Sequence, residues 1–264
     1  MRPRFYRAFR QALPAVALIV GLLALWELLA RLLDIQEWLL PAPSAVWSAG
    51  IDSLQLLWPH VVRTLVETLL GFAVALMAGL GLGIAIDLSP LLRRAIYPLL
   101  VASQTVPTIA IAPLLVIWFG YGLLPKIIVV GLVCFFPVVV NTADGLRSAS
   151  SDLLALLRTM GATRSDLFFK VRLPSALPMI FTGIKVAITY SVVGAIMGEW
   201  VGASRGLGIF MLRATNSFRT DWVFVSIFVS AVLSLGLFGL VNVVERLLQP
   251  WRFGRQEHWE ELSK

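Results

Sequence analysis

Residues 68–86 read "TLLGFAVALMAGLGLGIAI", with no charged side chain, and comparably apolar runs recur along the rest of the chain. A helix needs roughly 20 apolar residues to cross the hydrocarbon core of a bilayer. Inside lipid, every backbone polar group must find its partner within the chain, so such runs read as spanning helices. The composition agrees, being 58% hydrophobic and 14% charged. Soluble domains lie near half and about a quarter. The pattern predicts an all-α, polytopic membrane protein with six transmembrane helices, at about 12–33, 61–86, within 95–125, 127–143, 177–201 and 222–244.

The net charge of +7 follows the loops. Arg2, Arg4, Arg7 and Arg10 precede the first span, Arg93 and Arg94 lie in the turn at 87–98, and Arg246, Arg252, Arg255 and Lys264 follow the last span. The loop at 34–60 has Asp34, Glu37 and Asp52 but neither Lys nor Arg. Lys and Arg accumulate in cytoplasmic loops, so both termini and the basic segment 150–174 are expected in the cytoplasm. Membrane lipid is thus the expected partner of the basic residues, and nucleic acid is not. The apolar run after the first arginines lacks a small-x-small cleavage site, which predicts an uncleaved first span. The stretch "RPRFYRAFR" (2–10) suits either a helix lying in the inner interface or a solvated tail. With only His60, His258 and Cys134, no metal site and no intrachain disulfide is expected.

Several features break the apolar monotony. The third span is too long to be straight, and Pro107 and Pro113 each remove a backbone donor beside Ser103, Gln104, Thr105 and Thr108. Irregular backbone at membrane depth is tolerated where protein or a water-filled cavity satisfies it. Residues 103–113 are therefore the candidate lining of a permeation path, with Ser103, Gln104 and Pro107 foremost; a kinked, packed helix is the alternative. In the second span, Gly71, Ala75, Gly79 and Gly83 recur every four residues and make a smooth stripe for a close helix neighbour. Arg63 and Glu67 are spaced to pair, and Lys185 is placed to snorkel toward the cytoplasmic interface. Glu199 and Trp200 lie in "GEWVGASRGLG". The acid can serve as a gate or solute contact, or pair with Arg205 or Arg213.

The polar segment between the fourth and fifth spans has an architecture of its own. Ser150, Ser151 and Asp152 are candidate N-caps, Gly161 is a natural C-cap, and a second short helix starts at Thr163 or Ser165 and ends at Pro174. Leu153, Leu156, Leu157 and Met160 form an apolar stripe at i, i+3, i+4, i+7 that needs a groove to bury itself.

This segment resembles the cytoplasmic motif of bacterial ATP-binding-cassette (ABC) importer permeases: Glu-Ala-Ala, three residues, Gly, nine residues, Ile, one residue, Leu-Pro. Here Gly161 is followed by nine residues, Val171 stands for Ile, Arg172 is the free position, and Leu173 and Pro174 close the motif. The triplet is Ala155, Leu156, Leu157, so the acid is missing and apolar docking is left as the main contact. The stretches "LLPAPSAVW" (39–47), "VPTIAIAPLLVIWFGYG" (106–122) and "CFFPVVVNTADGL" (134–146) are similar to nitrate, taurine and alkanesulfonate importer permeases. "SQTVP", "GEWVGAS" and "GLGIFMLRATNSF" look closer to the branch importing thiamine pyrimidine precursors or riboflavin-like heterocycles.

The resemblance implies one transmembrane domain over 1–264, with core spans at about 61–245 and a coupling helix in 150–174. Leu153, Leu156, Leu157, Met160, Gly161, Ala162, Val171, Leu173 and Pro174 would meet a cytoplasmic ABC ATPase subunit. It further implies a second permease subunit, most simply a homodimer, a separate solute-binding protein, and a place in the bacterial inner membrane. No G-x-x-x-x-G-K-[ST] phosphate loop occurs, so ATP is expected on the partner; the chain is a transport subunit with no cofactor of its own, not an enzyme. An ion-driven secondary transporter would show inverted repeats and midplane acids. An intramembrane enzyme would show a nucleophile–base or metal constellation. Neither pattern is found.

Overall fold

The computed structural model describes residues 4–250, with side chains from residue 13 on. The arginines and aromatics of 2–10 and the basic tail beyond 250 therefore lie outside the described side chains. Every regular element among the described residues is helical. The first, α1 (Arg4–Leu32), touches the rest of the fold mainly near its end, where Glu27 binds Arg31 (2.6 Å) and the backbone N–H of Ser44 (3.0 Å). Trp26 and Ala30 also turn inward, while Leu18, Val20 and Leu25 are exposed, as a lipid-facing helix requires.

The second helix, α2 (Pro43–Leu88), is far longer than its sequence predicts, because most of the loop at 34–60 is helical. Pro43 provides a pre-set first turn. Ala49 and Leu57 then bury themselves against Leu207, Phe210 and Val225, a distant contact with no local signature. At about 1.5 Å per residue the helix reaches about 69 Å, more than twice the roughly 30 Å apolar core, so only its second half carries the span.

The third region is a broken span. The helices α3 (Pro90–Ser103) and α4 (Thr108–Phe119) meet at 98°. The break falls at Pro107, because a proline forces the preceding residue out of the helical region. Pro113 removes one backbone bond but stays inside α4, so only one of the two prolines breaks the helix.

Around this bend stand α5 (Leu124–Arg147) and α8 (Leu173–Glu199), the latter continuous with α7 (Arg164–Leu167) through a π turn at Phe168–Arg172. Pro174 does not end the second short helix as its sequence suggests. It lies just past the π turn, inside the helix that runs on from α7 into α8. The bundle's centre is the contact of α2, α5 and α8, where Ala75, Val130, Cys134, Val138 and Ala187 meet. The glycine stripe of α2 faces α5: a Cβ on Gly79 would lie 2.7 Å from Val138, and one on Gly83 2.6 Å from Thr142. The last span, α10 (Thr220–Leu248), closes the bundle. Lys185 reaches across to Glu245 and to Asn242 (3.0 Å), near the end of α10.

Candidate functional site

At one end of the bundle, α6 (Ser151–Thr159) stands clear of the core, with none of its side chains buried. The Ser150 hydroxyl accepts the Leu153 N–H, and Gly161, at φ +85°, turns the chain out of the helix. Gly161 N–H donates to Arg158 O and Ala162 N–H to Leu157 O, both at 3.0 Å, which is a Schellman closure. The next helix opens on a capping box between Thr163 and Asp166. Leu153 (44% exposed), Leu156 (57%) and Met160 (73%) thus form an apolar ridge that none of the described residues covers, while Leu157 is half-buried.

The second half of the motif behaves differently. Val171 is buried, and Leu173 packs against the cluster of Leu146, Ala176 and Ile180. Arg172 binds Asp87 at the end of α2 (2.6 Å) and donates to Leu146 O on α5 (3.2 Å). These residues fasten the segment to three core helices, and of the second half Phe169 alone among the large apolar side chains is strongly exposed.

A cavity of about 590 Å³ opens where the broken span meets α5 and α8. Ser103, Gln104 and Thr108 stand on one wall; Phe136, Asn141 and Tyr190 stand on the others. Among the described residues, no Asp, Glu, Lys, Arg or His lines it. Pro107 shapes the bend without reaching the wall. Asn141 and Tyr190 escape a sequence reading because the sequence does not fix which face of α5 or α8 each occupies. Asn141 donates to Pro137 O (2.8 Å), which leaves its amide oxygen and second N–H toward the space.

At the opposite end lies α9 (Leu207–Asn216), a helix the sequence does not announce. The first N–H groups of a helix have no partner within it. Here three successive ones are met by side chains from α2 and α8: Gly206 by His60 Nδ1 (3.0 Å), Leu207 by Thr64 Oγ1 (2.8 Å) and Gly208 by Glu199 (2.5 Å). Thr64 also donates to Glu199 (2.5 Å). Glu199 is fully buried, away from the cavity, and pairs with neither Arg205 nor Arg213; Trp200 is likewise absent from the cavity wall. Next to it, Glu67 takes both Arg63 (2.7 Å) and Lys126 (3.0 Å).

Residues 75–252 match the family of binding-protein-dependent transport system inner membrane components. The chain belongs to this family. It is an ABC-importer permease. Its relatives cover nearly the whole length: the formylaminopyrimidine transport permease protein ThiX of Halalkalibacterium halodurans is 40% identical over 92% of this chain and 97% of its own. The riboflavin transport system permease protein RibX of Chloroflexus aurantiacus is 36% identical over 94% and 95%. In fold, this permease is similar to an inward-facing conformation of the MetNI methionine ABC transporter, with a TM-score of 0.63 at 21% identity, over 74% of this chain and 97% of that one.

Proposed function

We propose that this permease imports an uncharged, planar nitrogen heterocycle of the thiamine-pyrimidine-precursor class, with the work of ATP hydrolysis arriving at α6. The observation that carries the solute class is the cavity wall, whose apolar and aromatic surface bears an amide, hydroxyls and a phenol but no ionic side chain. Such a wall suits a flat molecule with ring nitrogens and amino groups. An alkanesulfonate, taurine or nitrate would leave its anionic group without a cation there. The formylaminopyrimidine and riboflavin permeases among the relatives support the same class.

The exposed ridge Leu153–Leu156–Met160 supports docking in a cleft of the partner ATPase, which holds the ATP. Arg172 then passes the movement of that helix to α2 and α5. Arg93, Arg94, Arg147, Arg158, Arg164 and Lys170 lie toward the α6 end, which supports an orientation with α6 and both termini in the cytoplasm and α9 outside. One complete set of spans per chain supports a homodimer, fed by a solute-binding protein. Closing the two ATPases draws the coupling helices together and turns the dimer from inward to outward opening; each state needs only a few kcal/mol of bias from nucleotide.

Proteoliposomes holding the permease, its ATPase and its binding protein test this reading. ATP-dependent uptake is expected for a thiamine pyrimidine precursor or riboflavin, and not for taurine, an alkanesulfonate or nitrate. Uptake of the small anions alone would overturn the solute class while leaving the coupling role in place.

A further inference from the structure

The end of the bundle that carries α9 holds six basic residues: Arg31, Arg63, Lys126, Arg205, Arg213 and Arg219. On the orientation proposed above, on which this inference rests, that is the side where Lys and Arg are normally scarce. Four of the six each meet a carboxylate within the chain, two of them the same one. Arg31 pairs with Glu27 (2.6 Å), Arg63 and Lys126 share Glu67 (2.7 and 3.0 Å), and Arg219 holds Asp221 (2.8 Å). Arg205 and Arg213 are exposed, and neither meets a carboxylate among the described residues.

These two are not carried on a slack loop. Arg213 lies on α9 and donates to the Ser204 carbonyl (3.4 Å). The start of α9 is in turn fixed by His60, Thr64 and Glu199. Ser204 and Arg205 face Arg63 and Pro59 across a notch of about 350 Å³. The cavity that would hold the solute lies elsewhere and carries no charge. Both arginines thus stem from backbone beside a buried polar framework, with exposed guanidinium groups that meet no carboxylate among the described residues.

We propose that Arg205 and Arg213, with the notch beside Arg63, form the docking surface for acidic side chains of the solute-binding protein that delivers the cargo. Guanidinium groups recognise carboxylates through paired N–H donors. Complementary charge at an interface rim steers encounter and fixes orientation more than it adds raw affinity. The arginines would therefore select and orient the loaded binding protein before the pathway opens, leaving solute choice to the cavity.

The test uses the whole permease–ATPase complex in nanodiscs of zwitterionic lipid, titrated with the binding protein encoded beside it. For the Arg205→Glu, Arg213→Glu double variant, Kd should rise at least about tenfold, and the dependence of Kd on salt should flatten. Basal ATPase activity should stay unchanged while its stimulation by binding protein falls. The milder Arg205→Gln, Arg213→Gln pair should show the same effects at smaller size, which controls for misfolding. An unchanged Kd and salt slope in both variants would overturn the assignment. So would a defect confined to binding of anionic vesicles, which would make the arginines a headgroup site, or one confined to solute half-saturation. Failure of the wild-type complex to bind any binding protein would overturn the import reading as well; a missing ATPase subunit would mark that reading alone as the fault.

Discussion

Glu199 supplies acceptor oxygens to a helix start that cannot satisfy itself. Its carboxylate takes the Gly208 N–H and the Thr64 hydroxyl, and the Thr64 oxygen passes the support on to Leu207. A Cβ on Gly206 (φ +137°) would run into that carboxylate, so the approach requires glycine. Glu199→Ala leaves two buried donors unmet, each costing about 1–3 kcal/mol. The expected outcome is a lower unfolding temperature in detergent and faster amide exchange at 206–210, with uptake reduced only as far as the amount of folded protein falls. Normal stability with lost uptake would instead make Glu199 a solute contact. The residues "GEWVGASRGLG" announce a special place, since an acid and several glycines rarely share a span end without cause. They do not announce its meaning, because the deciding partners, His60 and Thr64, are more than a hundred residues away in sequence.

Among the elements, α6 is the one whose form and exposure agree most fully with its local sequence. Its serine cap, glycine closure and leucine spacing are all short-range chemistry, and all appear where the pattern puts them. The spacing-of-four stripe on α2 is equally legible, because small residues at one helical interval make a groove whichever helix fills it. What stayed hidden depends on tertiary contact: the helical first half of α2 forms against α9 and α10, and Pro174 falls inside a helix because the π turn carries α7 into α8. The two halves of the coupling motif also separate by role only in three dimensions, with the ridge outside and Val171 and Leu173 inside. Leu156→Asp therefore addresses docking alone. Burying a leucine contributes about 1.5–3 kcal/mol, and the aspartate adds a desolvation cost. The ATPase should lose at least tenfold in affinity, read as failure to copurify, while the permease unfolds at an unchanged temperature. Retained copurification would refute docking at this ridge.

At the scale of the molecule, the cavity lies between two differently built ends. The α6 end is tied to the core by Arg172, and the α9 end is locked by the Glu199 and Glu67 clusters, with the bent third region between them. Its 98° bend leaves the wall to Ser103, Gln104 and Thr108 on one side and to α5 and α8 on the other. Asn141 joins these parts. Its side chain packs on α8 where Gly183 leaves room, binds its own helix through Pro137 O, and keeps amide groups for the cavity. On the function proposed above, a heterocycle crossing this space would exchange water for that amide, and a wall that cannot reproduce the exchange would leave the solute's polar atoms unpaired. Asn141→Leu, near in size but without the amide, should therefore raise the half-saturation of heterocycle uptake by about tenfold, one unmet hydrogen bond, without altering basal ATPase activity. Tyr190→Phe should act in the same direction and by less, since that ring is half open to its surroundings and its hydroxyl can keep water. Equal uptake in wild type and both variants, at solute levels below saturation, would place the path outside this cavity and transfer solute choice entirely to the binding protein.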